Sequence, residues 1–161
     1  MEDHASLPQR LLLRPMQSGD LDYFLQLGCE TCGSLHGRPS QTKTDLFERF
    51  RGFVKEFAFR PESEIWIAST ETVHYAGHLW LYVSTNRFNG IKELWVWDVS
   101  VAPGCRRQGI GRKLMEHARQ RAVEQNCAEL WLLVAEDNPS AQALYASSGL
   151  TARGRMMAVA L

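Results

Sequence analysis

The segment CRRQGIGRKLMEHA, Cys105 to Ala118, combines basic residues and two glycines with the start of a helical pattern. Glycines at such a place let the backbone come close to a ligand, because no Cβ stands in the way. The first N–H groups of a helix have no partner within the helix and favour an anion. The segment therefore predicts a loop whose backbone amides, from Gln108 through Arg112, point at a phosphate group.

Two common phosphate-binding loops do not fit this segment. A P-loop requires lysine and then serine or threonine directly after its last glycine, whereas arginine and lysine follow Gly111. A dinucleotide-binding loop requires a small residue where this chain has Leu114, and it normally opens the first βα turn of its domain. The remaining pattern, R-x-x-G-x-G from Arg106, also occurs by chance at ordinary helix starts.

A strand–helix–strand unit must position this loop. Residues 93–101 (ELWVWDVSV) predict a strand, residues 108–126 carry an apolar stripe at helical spacing, and residues 129–135 (ELWLLVA) predict another strand. The near-continuous apolar run of the last segment is typical of a parallel strand buried on both faces. We therefore expect a right-handed βαβ unit.

The chain before this unit predicts two helices and three short strands. The first helix starts at Ser18 or Asp20, and the second has a single apolar stripe that Pro61 closes. The segments around them are rich in β-branched and aromatic residues, which favour strands. The strands cover residues 10–15, 64–70 and 74–84, and the second helix lies within residues 42–61.

After the unit, Asn138-Pro139 is a strong helix start and Gly149 a helix end. Residues 156–161 (MMAVAL) predict a closing strand. The predicted fold class is α/β, with a mixed, mostly antiparallel sheet, a central βαβ unit and helices on both faces.

Three segments together resemble the GNAT superfamily of N-acetyltransferases. The R-x-x-G-x-G loop after DVSVAPGC is similar to the acetyl-CoA loop of that superfamily. AEDNPSAQALYASSGL is similar to its second element, an Asn followed by A-x-x-x-Y-x-x-x-G-[FL], and RLLLRPMQSGDLDYF resembles its opening. The resemblance is specific over residues 95–161, weak at the start and absent over residues 29–89. It implies the GNAT fold in one N-acetyltransferase domain, residues 1–161.

The resemblance implies acetyl-CoA as the co-substrate. In this superfamily the sheet splays between the fourth and fifth strands, and the pantetheine arm lies in that slot. Asn138 would contact this arm, or its main role would be to cap a helix. The implied cofactor-binding residues are Val99, Ser100, Val101, Arg106, Arg107, Gln108, Gly109, Ile110, Gly111, Arg112 and Asn138.

The resemblance also implies direct attack of a primary amine on the thioester. A backbone N–H of Val99 or Val101 would hold the oxyanion. Tyr145 would protonate the departing thiolate, since a phenol with a reference pKa of about 10 keeps its proton at neutral pH. The base would be Asp98 or Glu93, which a regular strand places on opposite faces. Each of the three side chains also has a structural interpretation: Tyr145 as a core residue, and the carboxylates as solvated strand residues.

Composition limits the partners and the location. The 161 residues contain 18 Lys+Arg and 18 Asp+Glu, so we expect no general attraction to nucleic acid or to an anionic membrane. No apolar run approaches the ~20 residues of a membrane span, and the first ten residues lack the apolar core of a secretory signal. Four scattered cysteines fit reduced thiols in a cytoplasm.

Cys29, Cys32 and His36 form a weak metal pattern. Structural zinc normally takes four ligands and no second pair follows, so we expect buried thiols and no metal. In the superfamily the following loop lines the acceptor pocket, where His36 and Arg38 would touch substrate. The histidines at 74, 78 and 117 show no spacing that indicates a site, and the tryptophans favour a core or a homodimer interface over a ligand cage.

Two functions follow from these patterns. The first is an acetyl-CoA-dependent N-acetyltransferase that acts on an amine of a small molecule or a protein. The second is a catalytically idle acetyl-CoA-binding module that senses or regulates. Tyr145 and the intact loop favour the enzyme. Specificity for the acceptor should depend on residues 29–43 and 84–92, which match no known pattern, so the acceptor itself is not predicted.

Overall fold

The computed structural model describes residues 10–36 and 40–159, without the side chains of residues 34–36. Within these ranges the chain forms a five-stranded sheet and helices in nearly the predicted order. The strands are β1 (Leu12–Pro15), β2 (Ser63–Ser69), β3 (Gly77–Thr85), β4 (Lys92–Val101) and β5 (Glu129–Leu132). The α-helices are α1 (Leu21–His36), α2 (Lys43–Phe57), α3 (Ile110–Glu124) and α4 (Pro139–Ser147), with single 3-10 turns at Ser18–Asp20 and Pro103–Cys105.

The sheet has the strand order β1-β2-β3-β4-β5. Strands β1 to β4 pair antiparallel with their neighbours, and β4 pairs parallel with β5. The crossover from β4 to β5 runs through α3, since a parallel connection needs a long segment. This arrangement confirms the predicted mixed, mostly antiparallel sheet with a βαβ unit.

Two apolar cores cover the two faces of the sheet. On one face, Leu79, Leu81 and Leu94 of the sheet pack with Leu114 and Met115 of α3, and α4 adds partly buried side chains. On the other face, residues of α1 and α2 pack against the sheet. The buried residues of this core include Phe24 of α1, Phe50 and Val54 of α2, and Ile67 and Trp80 of the sheet. The helices therefore lie on both faces, as predicted.

Local signals explain where the helices begin. Thr42 caps α2 by accepting a hydrogen bond from the N–H of Asp45 at 3.1 Å, and the Asp45 carboxylate accepts one from the N–H of Thr42 at 3.1 Å. The Asn138 side chain accepts from the N–H of Ala141 at 3.0 Å, with proline at the first position of α4. Both caps satisfy donors that the helix itself leaves unpaired, and the one at Thr42 is reciprocal.

The predicted closing strand at residues 156–161 is wrong over its described part, because residues 151–159 form no strand. Met156 and Met157 are exposed at 75% and 90%. Two exposed ion pairs link the segment to β5 and to the residues after it, from Arg153 to Glu129 at 2.8 Å and from Arg155 to Glu136 at 3.0 Å. Residues 160 and 161 lie outside the described part of the chain.

Strand β5 is shorter and less buried than its apolar sequence predicts. It ends at Leu132, and its residues are half-buried. The physical reason is its position, because β4 is its one strand neighbour among the described residues. Within the same residues, no helix is both long and apolar enough to cross a membrane.

Candidate active site

A slot opens where β4 and β5 separate. Their parallel pairing ends at Val96 and Leu132, whereas β4 continues for five more residues to Val101. A narrow cavity of about 70 Å³ occupies the divergence. Its lining comes from α1, β4, the segment after β5, and α4: Thr31, Cys32, Val96, Trp97, Asp98, Val99, Leu132, Leu133, Val134, Ala135, Asn138, Ala141 and Tyr145.

An irregularity in β4 sets which side chains face this slot. The β3 partner of Asp98 is Trp80, but the next β3 residue, Leu81, pairs with Val96, so Trp97 is an extra residue. Such a bulge re-aims the side chains that follow it. Asp98 consequently lies on the α1 side of the sheet with Trp80.

The bulge overturns the expectation that Glu93 and Asp98 lie on opposite faces. Glu93 pairs with Ser84, and Asp98 pairs with Trp80. Residues 80 and 84 of the regular strand β3 share a face, because side chains alternate with a period of two. Directly paired residues point to the same side. Both carboxylates therefore lie on the α1 and α2 side.

Asp98 is buried, with 3% of its surface exposed, and both carboxylate oxygens are bonded. Oδ2 lies 2.7 Å from Nε2 of His78, and Oδ1 accepts from the Ser100 hydroxyl at 2.7 Å. Two further bonds of 2.6 Å extend this pair, from His78 Nδ1 to the Tyr75 hydroxyl and from the Ser100 hydroxyl to that of Thr31.

Sequence reasoning missed His78, because its contact with Asp98 joins residues twenty positions apart. The signal would have been the antiparallel register, which puts His78 opposite Ser100 and two residues from Trp80, the partner of Asp98, on the same face of β3. Ser100 was expected to face the cofactor through its backbone. Its side chain has a separate role, because the Ser100 hydroxyl donates a hydrogen bond to Asp98.

Glu93 occupies a different environment. It is 4% exposed and accepts hydrogen bonds from Nδ2 of Asn86 at 2.9 Å and from Nε1 of Trp95 at 3.2 Å. It lies near the start of β4, roughly 15 Å along the strand from Asp98 at ~3.3 Å per residue. It is absent from the residues that line the slot.

Two weak acids join Asp98 in the slot. Burial, together with the charge of Asp98, raises the pKa of Tyr145 to about 12. Burial, with the charges of Asp98 and Cys29, likewise raises the pKa of Cys32 to about 12. At neutral pH the phenol is therefore a proton donor, and the thiol is not a thiolate nucleophile.

The predicted phosphate loop leads directly into α3. Gly109 is the residue before the helix, with φ of +79°, a region that glycine occupies without strain. The N–H of Lys113 makes the first i to i−4 bond, to the carbonyl of Gly109 at 3.1 Å. The N–H groups of residues 110–112 thus belong to the first turn, where a helix offers donors to an anion.

Three arginines surround this turn, and all three are exposed. Arg106 donates from Nε to the carbonyl of Val101 at 3.1 Å, which ties the loop to the end of β4. Arg107 has φ of +64°, an unusual value for a residue with a side chain. With Arg112 on the first turn, the loop combines backbone donors and positive charge.

Two residues of the loop have a different role from the one expected. A Cβ at Gly111 would lie 3.0 Å from Cδ2 of Leu144, so glycine there permits close packing of α3 on α4. The Ile110 side chain is 4% exposed and belongs to the core. For these two positions, only the backbone N–H is placed to meet a ligand.

Asn138, the tryptophans and residues 29–38 carried the other expected contacts. Asn138 lines the slot while its side chain caps α4, so both proposed roles are compatible.

Trp95 stacks on Trp131 at 5.6 Å between ring centroids, and Trp97 on Tyr82 at 4.0 Å. The side chain of His36 and all of Arg38 lie outside the described residues. Among the described side chains, no group of three potential metal ligands occurs.

Residues 29–150 match the family model described as the Acetyltransferase (GNAT) family. The chain belongs to the GNAT acetyltransferase family. The assignment made from the R-x-x-G-x-G loop and the segment around Tyr145 is therefore confirmed, and the splayed β4–β5 slot is the one that the resemblance implied.

Known GNAT proteins resemble this chain in sequence over short stretches and in fold over nearly all of it. It is 39% identical over 59 residues to the ribosomal protein bS18-alanine N-acetyltransferase of Escherichia coli strain K12. The matched segment covers 37% of this chain and 40% of the Escherichia coli protein. It is 43% identical over 58 residues to streptothricin acetyltransferase of Streptomyces lavendulae, covering 36% and 31%. These matches span less than half the length of each relative.

A solved structure extends the likeness to the whole fold. A Pyrococcus furiosus protein assigned as an acetyl transferase superposes with a TM-score of 0.81 at 22% identity, over 94% of this chain and 100% of that one. At this identity the superposition shows the GNAT fold and nothing about substrates.

Proposed function

We propose that this GNAT protein is an acetyl-CoA-dependent N-acetyltransferase that acetylates a primary amine by direct attack. The observation that supports this most is that Asp98 and Tyr145, a carboxylate and a protonated phenol, line one slot. That slot continues from the end of β4, and the α3 N-terminus follows within the same loop. The proposed base and acid thus line one slot, and the loop after β4 leads from its edge to the proposed anion-binding turn.

Acetyl-CoA is the expected donor. Its pyrophosphate fits the first turn of α3, where the backbone N–H groups and Arg106, Arg107 and Arg112 supply donors and positive charge. Its pantetheine arm fits the β4 edge at residues 99–101, which β5 leaves without a parallel partner. Asn138 stands at the far wall of the same slot.

The chemistry requires the substrate nitrogen to lose two protons and the departing CoA sulfur to gain one. Asp98 accepts the proton of the substrate ammonium, directly or through a water molecule. The amine nitrogen then bonds to the thioester carbon, and the C–S bond breaks as the tetrahedral intermediate collapses. Tyr145 gives its phenolic proton to the CoA sulfur, and the second proton that the nitrogen loses as the amide forms returns to the Tyr145 phenolate. Of the two predicted bases, we propose Asp98, because Glu93 lies outside the slot.

A matched pair of variants tests this assignment. Asp98→Asn and Glu93→Gln each neutralise a buried carboxylate on the same face of β4. Release of free CoA is measured with acetyl-CoA and a panel of amines. We expect Asp98→Asn to lower kcat/KM by about 10²-fold or more, the usual contribution of a general base, and Glu93→Gln to change it little. The reverse result would move the base to Glu93.

The same assay separates an enzyme from a sensor. An idle acetyl-CoA-binding module would bind the donor in calorimetry and release no CoA with any amine. Because the two matched relatives are named for a protein alanine and for streptothricin, the panel should include N-terminal alanine peptides, lysine peptides and small-molecule amines. Turnover with no member of this panel, despite tight donor binding, would refute the proposed activity.

A further inference from the structure

The Asp98 carboxylate lies at the centre of a buried chain of hydrogen bonds. Tyr75 and His78 approach it from the start of β3, and Ser100 and Thr31 approach it from β4 and α1. The distances along the chain are 2.6 Å from Tyr75 to His78, 2.7 Å from His78 to Asp98, 2.7 Å from Ser100 to Asp98, and 2.6 Å between Ser100 and Thr31. His78 is fully buried, so solvent does not replace these contacts.

The direction of each bond follows from the donors and acceptors. A carboxylate only accepts, so Nε2 of His78 carries the proton that points at Oδ2. The other nitrogen of a neutral imidazole then has no proton, and Nδ1 accepts from the Tyr75 hydroxyl. Ser100 uses its proton on Oδ1, so its oxygen accepts from Thr31. All four donors are therefore directed toward Asp98.

We propose that His78 is a positioning residue for Asp98, which it contacts through Nε2–H while Tyr75 donates to Nδ1 and supports the same tautomer. The proposal rests on the proposed function of Asp98 as the base. A donor on each oxygen fixes the rotation of the carboxylate. The same two bonds stabilise the ionised form, which burial alone would disfavour.

The other titratable groups near Asp98 do not replace this support. Cys32 faces it from α1 and Tyr145 from α4, and both are neutral at pH 7 because their pKa is raised to about 12. Burial, followed by the charge of Asp98, also raises the pKa of Tyr75, so Tyr75 keeps the proton that it donates to His78. The stabilisation of the carboxylate consequently comes from His78 and Ser100.

The test follows the Asp98 carboxyl by carbon NMR in the free protein. His78→Leu removes the donor to the ionised form, so the carboxyl should take up its proton about one pH unit higher than in the unaltered protein. His78→Gln, whose amide can donate to Oδ2, should recover most of the shift. Tyr75→Phe should shift it in the same direction by less, because His78 keeps its bond to Asp98 and loses only the donor on Nδ1.

A control variant separates positioning from general loss of structure. Ser63→Ala removes the 2.7 Å bond that Nε1 of Trp80 donates to Ser63. Trp80 is the cross-strand partner of Asp98, but this bond is not part of the chain that ends on the carboxylate. It should leave the titration unmoved. An unchanged titration in both His78→Leu and Tyr75→Phe would overturn the proposal. If His78→Leu fails to fold, Tyr75→Phe decides the question.

Kinetics complete the test. The acid limb of kcat/KM should move to higher pH in His78→Leu and return in His78→Gln, with little change in the KM for acetyl-CoA. A loss of equal size at every pH would show a merely structural role and would overturn the proposal. Failure of the proposed function has a different signature: the unaltered protein acetylates no amine, while the NMR titration still reports whether His78 supports the carboxylate.

Discussion

Gly28 and Gly52 form a matched pair of glycines inside helices, and alanine should affect them in opposite directions. Alanine is more stable than glycine in a helix interior by about 0.5–1 kcal/mol, because glycine loses more backbone freedom on folding. A Cβ at Gly52 would meet no heavy atom within 4 Å. Gly52→Ala should therefore stabilise the protein by about that amount.

Gly28 lies where α1 crosses Asp98. A Cβ there would lie 2.6 Å from Cζ of Phe50 and 2.8 Å from Oδ2 of Asp98. Neither atom can move away easily, since Phe50 is buried and Oδ2 is bonded to His78 at 2.7 Å. Overpacking of this kind costs about 1–3 kcal/mol, which exceeds the gain in helix propensity. Gly28→Ala should therefore destabilise the protein, by about 1–2 kcal/mol net.

Urea unfolding of the two variants measures both free energies, and thermal unfolding provides a second measurement. For a chain of this length each kcal/mol shifts Tm by about 2–4 °C, so the two variants should move in opposite directions from the unaltered protein. Gly28→Ala should also lower kcat, because the added methyl group would displace the Asp98 carboxylate from its position. If Gly28→Ala proves as stable as Gly52→Ala, α1 does not pack against Asp98, and the reasoning about the buried chain is wrong.

Three further predictions concern single positions. Tyr145→Phe should lower kcat by about 10²-fold without changing the calorimetric Kd for acetyl-CoA, and in the unaltered protein this phenol should cause no loss of activity below about pH 11. Gly109→Ala should raise the KM for acetyl-CoA, because a side chain at φ of +79° costs roughly 1 kcal/mol and distorts the loop. The Arg14 guanidinium holds the pKa of Asp20 below its usual range. The ionised Asp20 therefore contributes its full share of the folding free energy above the pKa of an unfolded aspartate, about 4. That contribution is lost as the pH falls through the lower pKa of Asp20 in the folded protein. Asp20→Asn should therefore lose about 1.5–3 kcal/mol in urea unfolding at pH 7 and little near pH 2.

The local structure of the proposed cofactor half was predictable because its signals are local. Gly109 and Asn138 are a loop glycine and a helix cap whose roles depend on residues within four positions along the chain. Capping, glycine conformation and helical spacing are all short-range effects, so they are visible in the sequence. The strand–helix–strand unit follows from the same kind of pattern.

The base side of the site was not predictable, because it depends on distant contacts. The segment ELWVWDVSV shows no sign of the bulge at Trp97, and a regular strand puts Glu93 and Asp98 on opposite faces. The His78–Asp98 bond joins two strands, and the approach of Gly28 joins a helix to one of them. Single-sequence patterns do not specify such pairings, because they depend on register and tertiary packing.

Strand β4 explains how the two halves of the site work together. Val99 and Val101 pack toward α3 and the loop before it, whereas Asp98 and Ser100 face α1 and the buried chain. The bulge at Trp97 lies between these residues and the regular part of the strand, so it places the carboxylate at the point where β5 departs. The backbone edge that would meet the thioester and the side chain that would take the proton thus belong to consecutive residues. Their relative position is therefore fixed by one strand, and it does not depend on the motion of a loop.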